Sequence, residues 1–117
     1  MERLTLRRNF RGEQIHLGPA QRWLDHLWDL RLGSVRGTIY KVALEAKAAD
    51  RDDAVEISTS VYSTLQERLG SPTQQGDGIF LWDAADGNIV LQVANIGGDR
   101  RIMVFFTSSI ARTFAVR

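Results

Sequence analysis

The stretch from residue 78 to residue 107, GIFLWDAADGNIVLQVANIGGDRRIMVFFT, constrains the fold more than any other part of the chain. Three runs rich in β-branched and aromatic residues are separated by Asp86-Gly87 and by Gly97-Gly98-Asp99, turn signals of the kind that close hairpins. They predict a three-stranded antiparallel meander over about 78–83, 88–96 and 100–107. If each turn has two or four residues, even-numbered positions of one strand face odd-numbered positions of the next. One face of the meander then carries Phe80, Trp82, Ile89, Leu91, Val93, Ile102, Val104 and Phe106. The other carries Ile79, Leu81, Val90, Gln92, Ala94, Ile96, Arg101, Met103 and Phe105.

The first set is a core surface. The second is also mostly apolar, whereas a sheet face turned to water alternates towards polar residues. A further layer of the same chain, a second copy or a foreign partner is therefore expected over it.

The turn DAADGN itself, residues 83–88, offers three oxygen-bearing side chains in Asp83, Asp86 and Asn88. Their spacing is not that of a calcium loop, and the residue that would supply the twelfth-position carboxylate is Ala94. Short polar side chains at a tight turn bond their own backbone, so a corner is the expected reading and no metal site is assigned.

Upstream, Gly18-Pro19 followed by Ala20, Trp23, Leu24, Leu27 and Leu30, with Gly33 beyond, predicts a helix over about 19–32. Alternation from Val35 to Ala48 predicts a strand. Asp50, Asp52 and Asp53 precede a second apolar stripe of Ile57, Val61, Leu65 and Leu69, which Gly70 and Pro72 terminate. Residues 3–17 read as a strand or hairpin, and a flexible tail is expected after residue 108. The expected fold is α+β in a single compact domain of residues 1–117: a single-layer, mainly antiparallel sheet with two helices and a C-terminal three-stranded meander.

The chain has 117 residues, no cysteine and a formal net charge of +1, which excludes disulfide frameworks and thiolate chemistry. Charge is uneven along it: residues 1–41 hold eight basic and four acidic side chains, residues 42–99 three and ten, and residues 100–117 four and none. No apolar run is long enough for a signal or a membrane span, so a cytoplasmic setting is expected unless a leader was removed. No cofactor motif occurs, because the glycine-rich stretches match neither phosphate-binding pattern.

Three functional readings follow. The preferred one is a non-enzymatic protein-interaction module, such as an adaptor, inhibitor or assembly component, pairing with a protein partner or a second copy. Its expected interface is Trp28 at the rim of the first helix together with Ile79, Leu81, Val90, Met103 and Phe105. An alternative is a small enzyme or ligand-binding domain with a cleft near His26, oriented by Asp29 three residues on, although no nucleophile accompanies them and no catalytic residue is assigned. The last is anion or nucleic-acid binding through Arg3, Arg7, Arg8 and Arg11, disfavoured by the acidic middle and by the presence of only two lysines.

Overall fold

Two-residue turns dictate the architecture, since each forces a strand to pair with the one before it. In the computed structural model, which describes residues 3–4, 12–96 and 98–109, such turns lie at 24–25, 36–37, 77–78 and 85–86, and Ile96 pairs with Asp99 in the last hairpin. The elements in order are β1 (Arg3–Leu4), β2 (Glu13–Trp23), β3 (His26–Val35), β4 (Thr38–Ala48), α1 (Arg51–Leu69), β5 (Gln74–Gly76), β6 (Ile79–Ala84), β7 (Gly87–Ile96) and β8 (Asp99–Ser108). Together the strands make one eight-stranded antiparallel sheet in the order β1-β2-β3-β4-β8-β7-β6-β5. Helix α1 joins two meanders, and the last strand of each, β4 and β8, meet at the centre of the sheet.

The C-terminal meander has the expected parity. Trp82 pairs with Ile89 and Leu91 with Val104, with the turns closed by Ala84–Gly87 and Ile96–Asp99. The second stripe is also helical as expected. Asp50 caps it by accepting from the Asp53 N–H at 2.8 Å while Asp53 accepts from the Ala49 N–H at 2.8 Å, so two otherwise unpaired donors are satisfied reciprocally. Gly70 ends it at φ 84°, its N–H bonded to the Gln66 carbonyl at 2.8 Å. The helix lays Ala54, Ile57, Val61 and Leu65 across the side formed by even-numbered residues of β4 and β8 and odd-numbered residues of β7, where Ala46, Leu91, Ile102 and Val104 are buried with them. Leu69, at the end of the stripe, is instead exposed.

The expected first helix does not exist. Residues 19–32 belong to the β2–β3 hairpin, so the described residues form one helix and a larger sheet, not two helices. Three features made the helical reading wrong. Pro19 suits a helical first turn, but it equally suits β2, whose ladder with β3 is interrupted between Gly18 and Gln21 and whose outer side, among the described residues, pairs with β1 at Ile15 and His16. The turn is made by Leu24-Asp25 at φ 52° and 63°, so no glycine announces it. The apolar residues also lack helical burial: Trp28 is fully buried, whereas Leu27 is 61% exposed on the opposite side of β3.

That turn yields a stability prediction. Asp25 is exposed, and Asp tolerates the left-handed region only at some cost, so Asp25→Gly is expected to raise stability by about 0.5 kcal/mol after the entropy of the freer unfolded chain is subtracted. The urea midpoint should rise with an unchanged slope.

Candidate functional site

Because α1 covers one side of the sheet, the odd-numbered residues of β4 and β8 and the even-numbered residues of β7 point to the other. No described element lies over that side. Register places its residues in rows across the strands. One row runs Leu17, Arg31, Ala43, Phe105, Val90 and Leu81 from β2 to β6. The next contains Asp29, Glu45, Met103, Gln92 and Ile79. Five of the six side chains expected at an interface, Ile79, Leu81, Val90, Met103 and Phe105, are therefore contiguous on β6, β7 and β8. Ile79 is 40% exposed and the other four are half-buried.

Trp28, the sixth, is elsewhere. It has no exposed surface and packs in the helix-side core, its indole 5.5 Å from that of Trp23 and its N–H bonded to the Trp23 carbonyl at 2.9 Å. Placing it on a helix rim followed from the wrong element; on β3 its parity turns it inward.

Beside the apolar patch lies a band of paired charges. Glu45, its side chain 11% exposed, is held by Arg31 at 3.4 Å and by Arg101. Arg101 also reaches Asp99 at 3.6 Å, and Lys47 lies 3.4 Å from the same carboxylate. The hydrogen bond and charge of Glu45, with a smaller contribution from Asp99, raise the Arg101 pKa above its ordinary value, partly opposed by desolvation. Its Nε is shielded from solvent and has no hydrogen-bond partner among the described residues.

At the far corner a β-bulge builds a second polar cluster. Gly33 faces Lys41 and Ser34 faces Ile39, so Tyr40 is the extra residue and joins Lys41 on the open side. Tyr40 donates its hydroxyl to the buried Glu13, and Lys41 Nζ lies 3.9 Å from the same carboxylate oxygen. A Cβ at Gly33 would come within 3.3 Å of that oxygen, so the site depends on the close approach glycine allows. The alternation read from sequence put Tyr40 on the side away from Lys41, because a bulge leaves no mark in a period-two pattern.

The other sequence readings divide. Strand alternation puts His26 with Trp28 on the helix side and Asp29 on the open side, so Asp29 does not orient the imidazole. The helical spacing on which that cleft rested is absent. His16 contacts Ser34 Oγ at 3.1 Å. Arg3 lies in β1 opposite His16, while Arg7, Arg8 and Arg11 and the tail from residue 110 lie outside the described residues. DAADGN forms the β6–β7 turn and lines a cavity of about 240 Å³ with Leu69, Trp82, Ile89 and Phe106. Among the described residues no three His, Asp or Glu side chains are grouped to hold a metal, and no helix is long and apolar enough to cross a membrane.

Comparison with protein-family models, with curated proteins and with solved structures gave no match to this chain.

Proposed function

We propose that the chain is a non-enzymatic protein-interaction module, an adaptor, inhibitor or assembly component, that works through the open side of its sheet. One observation carries this reading: Ile79, Leu81, Val90, Met103 and Phe105 form a single apolar patch on a face that no described element covers. A partner laid on that patch removes apolar surface from water at about 25 cal/mol per Å². The neighbouring ion pairs then fix its orientation more than its affinity.

The test is site-specific photocrosslinking in the producing cell. A benzophenone side chain replacing Leu81 is expected to give a discrete protein adduct. The same group replacing Val55, 56% exposed on the outer side of α1, is expected to give none. Equal labelling at the two positions, or no adduct at Leu81, would contradict the proposal.

A further inference from the structure

We infer that the occupant of the open face is a second copy of this chain, related by a two-fold axis running across the strands along the row Leu17–Arg31–Ala43–Phe105–Val90–Leu81. The inference rests on the reading of that face as an interaction surface and adds the identity and geometry of the partner.

Area is the first argument. The molecule measures 41 × 31 × 24 Å, so the outline of its broad side is on the order of 1,000 Å², against the ~800 Å² per partner of a standard stable interface. A short peptide or small ligand would leave most of such a face wet, whereas an identical sheet matches it in extent. Two sheets stacked in this way pack face to face with their helices outward, the arrangement of a β-sandwich core.

Charge is the second. A face that selects a strongly acidic or basic partner carries an excess of the opposite sign and repels its own copy. Here the cations are already answered within the chain: Arg31 and Arg101 by Glu45, Lys47 and Arg101 by Asp99, and Lys41 by Glu13. Such a surface meets itself without large repulsion.

Register selects the axis. Laid along the row through Phe105 and Val90, it puts the most continuous apolar row of the face onto itself. It also sets the row containing Glu45 over the row containing Lys41 of the second copy, and the reverse, so opposite charges meet twice. Arg31 approaches its own symmetry mate, but each guanidinium keeps its Glu45. An axis parallel to the strands would instead place the charged β3–β4 side of one copy over the apolar β6–β7 side of the other.

On a two-fold axis a residue faces itself, and because the chain contains no cysteine a single introduced thiol reports this directly. Val90→Cys is expected to be joined to its symmetry mate by a short bismaleimide, which spans the roughly 10 Å between stacked sheets that a disulfide cannot, and Val55→Cys is not. In sedimentation, the unmodified chain is expected to be dimeric. Phe105→Glu should weaken the dimer at least about 100-fold by placing an unpaired carboxylate in the contact, with an unchanged far-UV CD spectrum, and Val55→Glu should leave it dimeric. If Phe105→Glu does not fold, Ile79→Lys at the more exposed edge of the patch replaces it.

A chain that stays monomeric up to about 500 µM overturns the homodimer, and a foreign adduct at Leu81 then leaves the interaction reading standing. A dimer indifferent to Phe105→Glu and Ile79→Lys, with no Val90→Cys crosslink, places self-association on another surface and overturns the inference. A dimer broken by Phe105→Glu but not trapped through Val90→Cys overturns the axis.

Discussion

Trp28→Ala is expected to remove about 3–5 kcal/mol of stability, a large share of the 5–15 kcal/mol that holds a typical domain together. The side chain has no exposed surface and lies in the same cluster as Ala46, Ile57 and Val61, so truncation opens a hole between the sheet and α1 that neighbours on two different elements must collapse to fill. The indole also donates to the Trp23 carbonyl at 2.9 Å, which ties the two strands beside the glycine-free turn. Trp28→Phe separates the two contributions: it keeps most of the volume, loses the hydrogen bond, and is expected to cost about 1–2 kcal/mol. Urea unfolding with a constant slope measures both. A cost below 1 kcal/mol for Trp28→Ala would show that the core does not depend on this residue.

The same residue shows where sequence stops being legible. The C-terminal meander could be read in register because Asp86-Gly87 and residues 97–99 mark its turns and because the parity of a two-residue turn fixes which side chains share a face. Helix α1 was legible from its aspartate cap, four-residue stripe and closing glycine. The β2–β3 hairpin was not. Its turn uses Leu24 and Asp25 in a left-handed conformation that their side chains do not advertise, and its proline and glycine fit a helix start and stop equally well. Adding two strands in place of a helix enlarged the open face instead of covering it, which is why the apolar patch survived the error and Trp28 did not. The bulge that brings Tyr40 to Glu13 was invisible for a related reason, since their partnership depends on a contact 27 residues apart in sequence.

Gly87→Ala is expected to cost about 2–3 kcal/mol, and the contrast with Gly37→Ala shows why. Gly37 has φ 83° and nothing within 4 Å of an added Cβ, so alanine there meets only the conformational penalty of the left-handed region, about 1 kcal/mol. Gly87 has φ 153°, and its Cβ would lie 2.4 Å from the Thr107 carbonyl oxygen and 3.1 Å from the Ser108 Cα. Both atoms are backbone of β8, so no side-chain rotation relieves the contact; the end of the β7–β8 ladder has to separate. The pairs Gly87–Ser108 and Asn88–Thr107 are expected to open first, together with the bond from the Ser109 N–H to the Asp86 carbonyl. Hydrogen exchange should therefore rise at the amides of this corner and stay unchanged at the Leu91–Val104 pair under the helix. DAADGN acts here as a corner whose glycine lets two strands approach, and equal costs for Gly87→Ala and Gly37→Ala would remove that role. Because this corner holds β6, β7 and β8 in the register that brings Leu81, Val90 and Phe105 together on the open face, a loosened Gly87→Ala variant should also lose self-association before it loses its fold.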